Sequence, residues 1–270
     1  MGLCVLSTTL LLQLLMVSAV QQRAAQERSF ASFRAELAAG TAPIGPIDAD
    51  GRVLAPGTSV AYLEIPSIGV GQVVGEGTTP GTLFDGPGHR RDSPLPGQVG
   101  TSVVLGRRGA FGGPFARLDD LQEGDLIRVT TGQGIFDFAV SGIRSEGDPA
   151  PPPAAAGEGR LLLATAGGRP FLPTGVLRVD AELEEGAVSG ARPLVATPNL
   201  PQSERIMGAD TSTLWALVLW LQCLVVLAVG AVWAWHRWGH ARAWLAFAPP
   251  LALVGLSASG EAARLLPNML

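Results

Sequence analysis

Catalysis by a protein side chain needs a nucleophile, a proton carrier or a metal ligand, and this sequence offers few. Its 270 residues contain two cysteines, Cys4 and Cys223, both inside apolar stretches, and three histidines, His89, His236 and His240. The polar middle of the chain thus has no thiol and a single imidazole. No disulfide framework can be drawn from two such cysteines. His236 and His240 have the spacing of ligands on one helix face, but the run His236-Arg237-Trp238-Gly239-His240-Ala241-Arg242 reads better as a solvated basic loop. No Cys or His pair elsewhere has zinc spacing, so neither a metal nor another cofactor is expected. Gly106, Gly109, Gly112 and Gly113 are not followed by Lys-Ser or Lys-Thr, which removes a phosphate-cradling loop. Asp119-Asp120 and Glu184-Glu185 read as turn and tether rather than an acid–base dyad.

Charge narrows the partners. All 19 basic residues are arginine, and the net charge is −4. A surface of that balance does not neutralise phosphates, so nucleic acid is not an expected partner. With 47% hydrophobic and only 16% charged residues, the chain is too apolar for an ordinary soluble domain and points to the membrane.

Residues 1–20 carry no charged side chain and are long enough to span a bilayer. They read as an N-terminal anchor, with a cleaved signal peptide as the rival because Val17-Ser18-Ala19 offers small residues near a cut. Two further spans are expected at 213–235, with Trp215, Trp233 and Trp235 near its ends, and at 243–260, interrupted by Pro249-Pro250. The arginines of the 236–242 loop favour the cytoplasmic side, which places residues 21–212 outside.

In that outer region, 21–59 reads as a helical stalk and linker, with Phe30, Phe33 and Leu37 at helical spacing. Short alternating runs come next at 60–65, 73–74, 101–105, 126–131, 135–143, 161–165 and 177–183, separated by turns such as Glu123-Gly124-Asp125. Many short strands between turn signals predict a mostly β sandwich or barrel over 60–183. A Pro-rich tether, 184–212, leads to the second span, and 261–270 reads as a C-terminal tail.

These runs resemble a known family. Leu63-Glu64-Ile65-Pro66-Ser67-Ile68-Gly69-Val70 is similar to the opening strand of sortases. Gly86-Pro87-Gly88-His89, Pro96-Gly97 and Gly100 resemble their glycine-rich approach to the histidine strand, and Gly113-Pro114-Phe115, Leu118, Leu121 and Gly124-Asp125 the segment beyond it. Ala181-Glu182-Leu183 matches the close of the last strand. The arrangement with membrane spans at both ends is similar to the class C and class E types of Gram-positive, actinobacterial kind. The resemblance implies a β-barrel ectodomain and a cysteine transpeptidase acting on sorting-signal peptides at the cell wall. The cysteine attacks, the arginine stabilises the oxyanion and the histidine protonates the leaving amine.

Carried over position by position, the resemblance meets other residues. Val103-Val104-Leu105-Gly106-Arg107-Arg108 puts Arg107 at the histidine position, and an arginine does not give up its proton at physiological pH. Leu161-Leu162-Leu163-Ala164-Thr165-Ala166 puts Ala166 at the nucleophile position, and counting back from Ala181 puts Val176 at the arginine position. No catalytic residue is expected at these three. His89, Arg90, Arg107, Arg108, Thr165 and Arg178 are left as a candidate ligand groove. The alternative for the arginines is a solvated surface whose charges pair with Asp92 and Asp85. The expected role is a catalytically silent, membrane-anchored surface factor that binds a sorting-signal peptide, a cell-wall precursor or an active sortase. Two alternatives stand beside it: an active enzyme with chemistry relocated to Thr165 or a serine with His89, and a structural subunit recruited through the C-terminal spans.

Overall fold

The computed structural model of the chain describes residues 17–48, 50–169 and 171–270; most of the expected N-terminal anchor, 1–16, lies outside them. The elements in chain order are α1 (Ser18–Ala39), β1 (Ser59–Ile65), β2 (Val70–Glu76), α2 (Thr82–Asp85), β3 (Gly88–His89), β4 (Gly100–Leu105), β5 (Leu126–Thr131), β6 (Gly134–Arg144), β7 (Gly159–Arg169), β8 (Leu172–Leu183), α3 (Leu214–Trp238) and α4 (His240–Arg264). They form two compact units, one from residues 18–209 with 267–270 and one that includes 210–266.

The first unit is a closed barrel in the order β1-β2-β3-β4-β7-β8-β6-β5, with β5 returning to β1. Period-2 alternation builds it, because successive strand side chains point to opposite faces. Ala61, Leu63 and Ile65 of β1, Ile127 and Val129 of β5, Phe136, Phe138 and Val140 of β6, Leu161 and Leu163 of β7, and Leu177, Val179 and Ala181 of β8 fill one continuous core. Most pairs are antiparallel, but β2–β3 and β4–β7 run parallel. The β4–β7 pair places the ends of two strands distant in sequence at the same rim, and β8 lies antiparallel beside β7.

Two glycines are required by close approach. Gly97 has φ +90 and lies under the Phe136 ring, which a Cβ would meet at 2.4 Å. Gly106, just past β4, faces Phe115 in the same way, also at 2.4 Å.

Helix α1 lies along β2. Gln26 receives a bond from the Val73 amide at 2.7 Å and donates to the carbonyls of Val73 and Asp85, Gln22 donates to Gln72, and Phe33 is fully buried. Residues 184–209 also pack on the barrel unit. Val188 exchanges backbone bonds with Gly97 and Val99, and Glu204 is buried against Arg91. With these helices included, the chain as a whole mixes sheet and helix, while its central domain is β.

In the second unit, α3 and α4 form an antiparallel pair turning at Gly239, and both are long and apolar enough to cross a membrane by length and composition. His236 and His240 fall on different helices, and His240 lies against the Trp235 ring at 4.1 Å. The Asp210 amide donates to the Arg264 carbonyl, so the two ends of the pair meet.

The core predicts its own test. Phe138 is fully buried, so Phe138→Ala destabilises the barrel by about 3–5 kcal/mol. Pulse proteolysis across a urea series reads this directly; all six tryptophans lie in α3 and α4, so their fluorescence does not report on the barrel.

Candidate functional site

The ladder between β4 and β7 continues one step past Leu105, with the Gly106 amide donating to the Ala164 carbonyl at 3.0 Å. Arg107 and Arg108 therefore run beside Ala166, and Arg108 Nη1 reaches the Ala166 carbonyl at 3.4 Å. Across the β7–β8 hairpin, Ala166 stands directly opposite Val176. Arg107, Ala166 and Val176 are thus brought to one rim of the barrel. Because Leu161 and Leu163 point into the core, Ala164 and Ala166 face outward, and so do Val176 and Arg178.

Arg107 is the largest fully buried side chain among the described residues, with 0% exposure, and none of its bonds there goes to an acidic side chain. Its guanidinium lies 4.8 Å from the Phe84 ring centre and 5.1 Å from that of Phe111, two rings that stack on each other at 3.9 Å. Nη1 donates to the Leu270 carbonyl at 3.1 Å and Nη2 to the Pro80 carbonyl at 3.4 Å, while Nε has no partner among the described residues. Burial pulls this guanidinium down to about 9. The aromatic faces and carbonyl dipoles offset part of that desolvation, since both present negative charge to the cation.

The neighbouring arginines are neutralised. Arg90 grips Asp92 through two bonds of 2.5 and 2.9 Å. Burial pushes the Asp92 carboxyl up, but the hydrogen bonds from Arg90 and Thr197 outweigh it and hold the group below its usual range. Arg91 forks onto Glu204, and Arg108 meets Asp119 at 2.6 Å. Asp85 takes no part in this pairing, and burial raises its carboxyl against a smaller lowering by Arg28. Arg178 is partly buried opposite Ala164 on the outer face, and its side chain makes no hydrogen bond or ion pair among the described residues.

His89 and Thr165 point elsewhere. His89 pairs with Val104, a core residue, so its ring lies on the opposite face from Ala164 and Ala166. Both ring nitrogens are used: Nδ1 lies 2.8 Å from Glu76 Oε2, and Nε2 lies 2.9 Å from the Pro94 carbonyl. The imidazole is a strut between β2 and the 90–94 turn. Thr165 shares the inward parity of Leu163, is fully buried, and donates its hydroxyl to the Gly106 carbonyl at 2.9 Å. Of the six groove residues read from sequence, Arg107, Arg108 and Arg178 cluster on or beside the outer face, whereas His89, Thr165 and Arg90 serve other contacts.

Sequence reading did not find Phe84, Phe111 or the tail residues 267–270. The Met269 carbonyl accepts from the Arg108 amide at 3.0 Å, beside the Arg107–Leu270 bond. Nothing in their local sequence marks any of these as neighbours of Arg107, because the contacts join segments far apart in the chain.

This geometry has two measurable consequences. At pH values below about 9, Arg107 is protonated in the folded and unfolded states alike and its desolvation penalty is fully present; above 9 the folded state sheds the proton first. The stability of the wild-type chain relative to Arg107→Met therefore rises with pH above that point, by at most about 1.4 kcal/mol per unit. Urea unfolding at about pH 7 and about pH 10 measures it, and a flat difference would contradict a cation buried without an acidic side chain beside it. His89→Ala leaves Glu76 buried without its partner and costs about 2–3 kcal/mol of barrel stability in the same assay.

Comparison with known proteins agrees with the barrel fold. The family model described as Sortase domain matches residues 63–165. Sortase D of Bacillus subtilis (strain 168) is 33% identical over 84 residues, which are 31% of this chain and 41% of that protein, so the chain spans about two fifths of this curated relative. A solved sortase D5 transpeptidase from Clostridium perfringens superposes with a TM-score of 0.50 at 22% identity, covering 60% of this chain and 99% of that one. Sortase C of Clostridium perfringens, solved with the C-terminal cell wall sorting motif, gives 0.45 at 21% identity over 60% of this chain and 88% of its own. Over residues 63–165 the barrel matches the sortase domain, and its closed eight-stranded sheet has the fold of the solved sortase D5.

Proposed function

We propose that this chain is a catalytically silent sortase-family protein, anchored in the membrane with its barrel outside, that binds at the cell surface instead of transferring. One observation carries the reading. The rim where the family's resemblance assigns cysteine, histidine and arginine carries Ala166, Arg107 and Val176, with Ala166 and Val176 directly opposed in register. A methyl group attacks nothing, a buried guanidinium is no proton shuttle near neutral pH, and valine offers no donor to an oxyanion. Relocated chemistry finds no support in Thr165, whose hydroxyl is spent on the Gly106 carbonyl, or in His89, whose two nitrogens are both engaged.

What remains at the rim suits binding. Arg107 and Arg178 have no acidic partners among the described residues, and Arg108 presents its amide, so the site offers donors to carbonyl or carboxylate oxygens. A sorting-signal peptide, a cell-wall precursor or an active sortase each presents such oxygens. The membrane reading rests on α3 and α4 and on the His236-Arg237 and Arg242 cluster around their turn, which favours a cytoplasmic hairpin tip. An even number of crossings then returns the chain, after Arg264, to the side from which α3 departed.

The test uses the full chain in detergent, incubated with labelled sorting-signal peptides and an amine acceptor and followed by mass spectrometry. No cleavage or transfer above a heat-denatured control is expected. Turnover that disappears in His89→Ala or Thr165→Val would overturn the silent reading and identify the relocated residue.

A further inference from the structure

The rim of the barrel is already occupied, and by the chain itself. Asn268 and Met269 have 0% exposure and Leu270 has 9%, values unusual for a short segment following a long helix. Polar recognition holds the segment. Asn268 Nδ2 faces three carbonyl oxygens, of Thr78 at 2.9 Å, Arg205 at 3.0 Å and Ser203 at 3.4 Å. The Asn268 amide donates to the Gly208 carbonyl, the Arg108 amide donates to Met269, and the Arg107 guanidinium donates to Leu270. The Leu270 amide folds back on the Pro267 carbonyl, so the segment enters as a reverse turn.

The fit is incomplete in an informative way. Among the described residues, six buried side-chain polar atoms lack partners, and three of them are Arg107 Nε, Arg108 Nε and Asn268 Oδ1. An unpartnered buried donor costs free energy that a better ligand recovers. The present occupant leaves the two most buried cations of the rim under-used, so another peptide bringing additional acceptor oxygens has something to gain by replacing it.

We propose that residues 267–270 are an internal occupant of the Arg107 rim, latched by Asn268, and that a peptide from another molecule enters only when this tail leaves. The proposal rests on the binding reading above and adds its regulation: the groove takes a turned peptide through main-chain carbonyls and one carboxamide, and the chain competes for its own site. The latch chemistry is specific. Three carbonyls around one nitrogen select a donor, so Asn268→Asp sets carboxylate oxygens against carbonyl oxygens and expels the tail without shortening it.

The experiment uses the full chain in detergent, the Asn268→Asp variant and a second variant ending at Leu266. The probe is a fluorescent peptide with the sequence Leu-Pro-Asn-Met-Leu, followed by anisotropy, with amide hydrogen exchange on the same proteins. In the wild-type chain the Arg108 amide should be protected and the peptide should bind poorly. In both variants that amide should exchange faster while the β4, β7 and β8 amides stay protected, and the peptide should bind at least about tenfold tighter, a gain abolished by adding Arg107→Met. Equal peptide binding by wild type and variants would overturn the competition, and an Arg108 amide unchanged in Asn268→Asp would overturn the latch. A freed amide with no peptide binding in either variant would make the tail a structural filler and also overturn the proposal. Cleavage of the probe, read by mass spectrometry, bears separately on the silent reading: it would sink that one and leave the competition standing.

Discussion

Closure of the sheet depends on one pairing, the parallel ladder between β4 and β7. Antiparallel neighbours can be joined by short turns, but a parallel pair needs a long crossover, and here more than fifty residues, including β5 and β6, lie between the two strands. That crossover lets the barrel close in the order in which β8 sits between β7 and β6. It also brings the last residues of β4 and the outward methyls of β7 to a common rim. Everything distinctive about the site comes from this placement. Arg107 is carried past the strand end into a space walled by Phe84, Phe111 and the 267–270 turn, where water does not reach it.

The use of arginine throughout gives this surface a particular electrostatic character. Guanidinium forks onto carboxylates in fixed geometry, and the barrel exploits this at Arg90–Asp92, Arg91–Glu204, Arg128–Asp137 and Arg144–Asp180. These pairs tie loops and strands together, and beside Arg107 the Arg108 guanidinium is likewise matched by Asp119. Arg107 and Arg178 stand outside this pairing, and of the two only Arg107 is fully buried. A lysine there would shed its proton or move to solvent, whereas a guanidinium tolerates burial between aromatic faces with carbonyl acceptors. The rim thus holds a retained cation with spare donors, which is a poor proton shuttle and a serviceable oxygen binder.

The barrel alternation was readable because it is local. Runs such as Val60 to Ile65, Leu126 to Thr131 and Leu161 to Thr165 coincide with β1, β5 and the first part of β7, since a half-buried strand imprints its period of two on neighbouring residues. The reading stopped short where glycines intervene. Strand β7 continues through Gly167 and Gly168 to Arg169, and β8 begins at Leu172, because each strand supplies the other's hydrogen bonds across a tight hairpin. Turn propensity there yields to cross-strand pairing, which only the partner strand reveals.

By itself the sequence determined the kinds of chemistry available and the residues that cannot perform them: no thiol in the middle of the chain, no lysine, one imidazole. It also determined the membrane-length apolar runs and the β character of 60–183, because composition and short-range period are properties of adjacent residues. Only the tertiary structure decided that His89 braces Glu76 and the Pro94 carbonyl, that Thr165 turns inward, and that Arg107 meets the carbonyl of Leu270. That last contact joins residues 163 positions apart. No local pattern encodes it, because it exists only once the ladder between β4 and β7 has closed and the chain beyond α4 has returned to the barrel.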